Sequence, residues 1–328
     1  MNNSKSIIAV IARKEYRDSI KSKLFLTLVS FLIVLIVVSI VVSSFDFKSQ
    51  VADYKSSVKI LEDMGKSSEI PSMPQFFPLK SMRGVIEYIE IIGAIIGIIL
   101  GYLSISREKG KRTLQLVLSR PVRIADIITG KFIGNSFLVL LVLLAGLFST
   151  FFIIWGIGGL LLNLIEVVKL LLVFLFSYLY IMFFFCLSSM LSLWFKSLSN
   201  ALIICFIIWL IFVLIIPQIG DTMDPDNQIP GGFFKSMNID KVQEEEVMAK
   251  FTTYETTRNA IEESSITKHY ERLNFAITGI KEKYNGKDLR FIFKDSWKDL
   301  VWVFSFLLAA YFMEYAILSN KRLIFNGD

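Results

Sequence analysis

Leu24–Phe45 reads LFLTLVSFLIVLIVVSIVVSSF, 22 residues without a charge. A bilayer core of ~30 Å takes about 20 such residues in a helix, so this stretch predicts a membrane span. A cleaved signal peptide is the lesser reading. The run exceeds the usual ~7–15 apolar residues of such a leader, and 23 polar-rich residues precede it. Five further runs qualify as spans: Ile86–Ser106, Phe132–Trp155, Val167–Leu193, Ala201–Ile219 and Asp299–Ser319. The third and fourth spans have an alternative reading as one re-entrant pair around Gly156, Gly158 and Gly159, although each is long enough to cross alone. Composition agrees with a polytopic membrane protein: 54% apolar residues, 29 phenylalanines and a mean hydropathy of +0.59 exceed what one soluble core hides. Disordered, collagen-like and disulfide-scaffold classes are excluded. The expected fold is all-α, with six transmembrane helices.

Charge placement orients the chain. Residues 1–23 carry six bases against Glu15 and Asp18, and residues 107–131 carry seven against Glu108 and Asp126. Lys196 lies in the fourth-to-fifth link, and Lys321 with Arg322 follows the last span. Residues 46–85 hold six bases and five acids, and residues 220–298 hold twelve and fourteen. The excess of short-loop bases predicts both termini in the cytoplasm and a multi-pass protein of the plasma membrane.

Outside the bilayer, Val51, Tyr54, Val58 and Leu61 mark a helix stopping near Gly65, followed by an extended Pro71, Pro74 and Pro78 stretch. The 220–298 loop opens with turn-rich residues, Asp224-Pro225-Asp226-Asn227 and Pro230-Gly231-Gly232. Val247, Phe251, Tyr254 and Ile261 then mark one helical stripe. Ile266, Tyr270, Leu273, Ile277, Ile280 and Tyr284 mark a second, at spacings of four and three that favour helix against helix. A small extracytoplasmic helical cap, built with the helix of residues 46–85, is expected; a free coiled coil is the runner-up.

Chemistry-bearing motifs are missing. Gly110-Lys111 and Gly130-Lys131 lack the remaining residues of a phosphate loop, and neither Gly-x-Ser-x-Gly nor His-Glu-x-x-His occurs. Cys186 and Cys205 fall inside apolar runs and read as small hydrophobes. With one histidine, His269, no His/Cys metal site is expected; His269 reads as an ordinary surface or packing residue. Glu245-Glu246 and Glu262-Glu263 read as solvated helix faces. An enzyme is not expected, and no cofactor in this chain.

The connection between the second and third spans is the most specific stretch. It runs Arg107-Glu108-Lys109-Gly110-Lys111-Arg112-Thr113-Leu114-Gln115-Leu116-Val117-Leu118-Ser119-Arg120-Pro121-Val122-Arg123. Gly110 interrupts the outgoing helix, Thr113 caps a short new one with Leu114, Val117 and Leu118 on one face, and Pro121 ends it. Such a helix lies along the membrane surface.

This stretch closely resembles the hallmark Glu-x-x-x-x-Thr-Leu-x-x-Leu-Leu-Ser-x-Pro-Val-x-Arg of permease subunits in the ABC-type-2 exporter family. Glu108, Thr113, Leu114, Leu118, Ser119, Pro121, Val122 and Arg123 stand in matching places, with Val117 where leucine is frequent. Gly130-Lys131 matches the family's approach to the third span. Arg13-Lys14-Glu15-Tyr16-Arg17-Asp18 with Ser22-Lys23-Leu24-Phe25 resembles its amphipathic N-terminal helix. The long 220–298 loop departs from the many relatives with only a short re-entrant segment there, and hints at the branch resembling copper-enzyme-maturation and sodium-extrusion permeases. The resemblance implies a transmembrane half without ATPase machinery, working as two permease chains, identical or related. Two separate ATP-binding subunits, carrying ATP and Mg, would dock on the Glu108–Arg123 coupling element. Membrane lipid is an expected partner and nucleic acid is not.

Two intramembrane features stand apart from the motif. Gly93, Gly97 and Gly101 recur every fourth residue, the spacing that lets helix backbones approach closely, and static packing is the plainer reading than a moving seam. Glu314 lies inside the sixth span, where snorkelling or pairing with a base such as Lys321 is expected and a substrate or ion role is the lesser reading. The leading function is export driven by a partner's ATP hydrolysis. A non-transporting scaffold or sensor, with the cap as docking site, is the alternative. An ion-coupled carrier is disfavoured, because no span holds a central run of ionisable residues.

Overall fold

The computed structural model describes residues 2–64, 78–110, 122–159, 161–223, 233–239 and 241–320, and among them every regular element is a helix. The first, α1 (Asn2–Ile20), stops where Ser22 turns to extended geometry and its hydroxyl caps the next helix at Phe25 N. That next helix, α2 (Lys23–Asp63), is 41 residues long, about 60 Å at 1.5 Å per residue. Its lower half is the first span. The Val51–Leu61 stripe, expected as a separate helix, is its continuation. Asp46 to Gln50 contains neither glycine nor proline, and Gln50 Nε2 bonds Asp46 Oδ2 one turn back at 2.9 Å. A change from apolar to polar side chains alters the solvent a helix prefers without breaking it.

Six helices are long and apolar enough to cross a membrane: α2, α3 (Pro78–Gly110), α4 (Ile124–Gly156), α5 (Leu164–Trp194), α6 (Leu198–Thr222) and, after α7 (Thr252–Glu263) and α8 (Ile266–Thr278), α9 (Trp297–Ser319). If all six cross, α1 and the end of α9 lie on one side, called the terminal side below. The helices α4 and α5 are separate, full-length elements, which sets aside the re-entrant reading around Gly156. A reciprocal capping box, Asn163 with Glu166, fixes where α5 begins.

Helix α5 is the hub, buried along most of its length, while α2 and α6 turn most of their apolar surface outward. Against α5 lies α3, and the glycines at every fourth position explain how close they come. A Cβ on Gly97 would stand 2.5 Å from Ile181 O, and one on Gly101 2.3 Å from Phe185 O. Gly93 faces the Ile181 side chain in the same seam. A second glycine contact seats α1 on α4, where Gly130 and Gly134 meet Ile11 and Ala12.

The far-side loop folds differently from a cap. Tyr254 hydroxyl, near the start of α7, donates to Met223 O at the end of α6. Farther down, Gly220 meets Glu262, and Ser265 hydroxyl donates to Phe212 O at 2.7 Å. The chain then turns and climbs as α8: Thr267 reaches Tyr180 and, one turn on, Tyr270 bonds Ser177. Tyr180 lies 14 residues from the terminal-side end of α5, about 21 Å, so α7 and α8 form a hairpin that enters the membrane thickness. Helix α8 is buried on nearly all sides between α3, α5, α6 and α9. Gly279, at φ +72°, ends it in the left-handed conformation.

Candidate functional site

The terminal-side mouth of the bundle holds a buried ion cluster. Glu15 sits on the face of α1 that packs against Gly134, so packing carries its carboxylate inward. Lys131 occupies the first turns of α4 and is only 2% exposed. Its ammonium reaches Glu15 Oε1 at 2.9 Å, Glu108 Oε2 at 3.0 Å and Ser104 O at 2.7 Å. Glu108, in the last turn of α3, also takes Lys14 Nζ, and Glu15 Oε2 accepts from Ser104 hydroxyl at 3.0 Å. Asn135 closes the group by donating to Lys131 O and accepting from Ser19. Among the described residues two cations, Lys14 and Lys131, face two carboxylates, Glu15 and Glu108, and so bind α1, α3 and α4 to one another.

Beside it, Lys109 Nζ donates to Ser192 O, 3.1 Å away, and to Phe195 O, at the free carbonyl end of α5. One turn of α3 thus sends Glu108 toward α1 and α4 and Lys109 toward α5. The last turn of α3, from which the 111–121 connection departs, is held on both sides. Val122 packs against the core, and Arg123 is the exposed, extended residue preceding α4. Thr113, Leu114, Leu118, Ser119 and Pro121 lie outside the described residues. Sequence reading set Glu15 on the N-terminal helix and counted Lys131 among the bases of the second-to-third connection, without bringing the two together. The available signal was a lysine set into an apolar helix and a glutamate at helical spacing from Ile8, Ile11 and Ala12.

The far-side hairpin carries its own pairs. Lys268 is buried and reaches Glu271 at 3.0 Å and Asp221 at 3.2 Å. Burial alone would lower its pKa; Glu271, Asp221 and Glu262 outweigh that and raise it. Glu262 is buried rather than solvated, because it pairs with Arg272 and Arg258. Burial pushes its carboxyl up, and those cations with Lys268 pull it below the ordinary range. His269 is a packing residue, 1% exposed, stacked on Trp302 with its ring nitrogens against Asp299 Oδ1 and Glu263 O.

Two π-helical segments, Ile89–Gly93 in α3 and Ile211–Ile215 in α6, flank the start of α8. A π-turn frees a carbonyl from its regular partner. Here Tyr180 hydroxyl of α5 donates to Glu90 O at 3.0 Å and Ser265 hydroxyl, at the hairpin tip, to Phe212 O, so a side chain meets each segment. Glu314 does not snorkel: it is 1% exposed and takes a hydrogen bond from Ser189 of α5, while Lys321 lies outside the described residues. Cys186 and Cys205 are free and buried. Among the described residues no group of three or more His, Cys, Asp or Glu is arranged to hold a metal ion.

The family model described as ABC-2 family transporter protein matches residues 9–323. The curated proteins searched include no match to this chain.

Proposed function

We propose, from the premise that this chain belongs to the ABC-2 transporter family, that it is the membrane subunit of an exporter driven by a separate ATP-binding subunit. The ion cluster of Glu15, Glu108, Lys131 and Lys14 carries this reading. It ties α3, which leads into the 111–121 segment, to α4, which follows that segment, and both to α1; the segment is the counterpart of the family's coupling element. A push on that segment would reach three helices together rather than bending one loop. Lys109 would pass the same displacement to the end of α5, the hub of the bundle.

In this reading the terminal side is cytoplasmic, two permease chains dock on two ATP-binding subunits, and nucleotide with Mg stays on those partners. The scaffold alternative loses support, because the hairpin that would present a docking face is sunk among the spans.

The test is co-purification of this chain from its native membranes with an ATP-binding subunit of the ABC type. Wild type is expected to retain it, and Pro121→Ala to lose most of it. Glu108→Gln is expected to keep the partner but lose at least tenfold of the permease-dependent change in ATPase rate. A chain that never retains an ATP-binding protein under any of these conditions overturns the proposal.

A further inference from the structure

Glu314 is a titratable group that the coupling scheme leaves unused. It lies on α9 about three turns beyond Trp302 and points between α9 and α5. Its Oε1 accepts the Ser189 hydroxyl, and its Oε2 is buried without a hydrogen-bond partner among the described residues. The groups facing it are few. From α5 come Ser189 and Cys186, both buried. From α4 the charge acting on it is Lys131. An ammonium has three hydrogens, and those of Lys131 are taken by Glu15, Glu108 and Ser104 O. From α8, His269 pairs with Asp299, 15 residues up the same helix and about 22 Å distant.

A carboxylate in this position would be a buried charge with one hydrogen bond, which folding does not tolerate at an apolar helix contact. Something positive must complete it. The hydrogens of Lys131 are already committed, and among the described residues no other cation faces Glu314 and no metal-ligating group surrounds it. A proton needs neither a cavity nor further ligands.

We propose that Glu314 is a proton-binding site set into the α5–α9 contact, filled in the conformation described here. Release of the proton would leave a bare charge between the two helices and drive them apart, so relative movement of spans four and six is linked to proton exchange. The inference stands without the ATPase reading.

Infrared difference spectroscopy on the purified full-length chain in lipid tests it directly. At neutral pH the wild type is expected to show the carbonyl stretch of a protonated carboxylic acid that the Glu314→Gln variant lacks. The Glu314→Asp variant should keep a band at a shifted position, and alkaline buffer should abolish the wild-type band. Identical wild-type and Glu314→Gln spectra in that region would overturn the proposal. So would a difference consisting of carboxylate bands, or loss of the acid band on adding sodium at fixed pH, which would make a metal cation the ligand. Gln is isosteric with the neutral acid, so a Glu314→Gln chain that no longer elutes as the folded species counts against the site as well.

Discussion

A buried ammonium held by two carboxylates is worth little as a net contribution to stability, but removing it exposes what it neutralised. Lys131→Met takes from Glu15 and Glu108 the buried cation they share and is expected to cost about 3–5 kcal/mol, read as a lowered thermal midpoint in detergent. Lys14→Met, by contrast, removes an exposed partner and should change that midpoint little. The glycine seam makes a comparable pair. Gly101→Ala forces a methyl group onto the α5 backbone and should destabilise by ~1–3 kcal/mol. Gly110→Ala meets nothing within 4 Å, so the same measurement should show no loss. The sequence displays the glycine spacing openly, yet spacing alone does not tell Gly101 from a glycine with room to spare. It shows Lys131 too, but only the close seating of α1 on Gly130 and Gly134 turns that residue from a loop charge into a buried one.

At the scale of elements, the spans were legible because a bilayer demands length and apolarity, and both are written along the chain. The hairpin of α7 and α8 was not. Its four-three apolar stripe looks like that of any soluble helix pair, and Lys268, His269 and Arg272 argue for water. Tertiary partners supply what water would have: Asp221 and Glu271 for Lys268, Asp299 for His269, Glu262 for Arg272. The pH dependence of docking follows from two of these. Glu262 is held below its usual range, so its stabilising share is present above about pH 5 and lost as pH falls through the depressed value. Lys268 is held above its usual range, so its share is present below about pH 10 and lost as pH rises through the raised value. Amide-hydrogen exchange at Ile266–Thr278, corrected for the intrinsic rate, should therefore show constant protection between those limits and loosening beyond each.

For the molecule as a whole, the proposed topology has six crossings with the ends of the chain together on the cytoplasmic side. A cysteine at Lys55, on the upper part of α2, should react with an impermeant maleimide added to intact cells. A cysteine at Arg123 should react only after the membrane is opened. The reverse pattern would invert the topology and remove the 111–121 segment from reach of any cytoplasmic partner. Membership of the family rests on nearly the whole length of the chain, and the outward-facing apolar sides of α2, α6 and α9 suit contact with lipid.

The length of α2 has its own mechanical result. About half of its ~60 Å suffices to traverse the hydrocarbon, so the remainder stands clear of the lipid as a stiff mast footed beside α1. A mast converts angle into travel: a lean of about 10° at Ser22 sweeps its tip at Asp63 sideways by about 10 Å. Small rotations beneath the bilayer would be magnified above it, where they can be tracked by a fluorophore placed near Asp63.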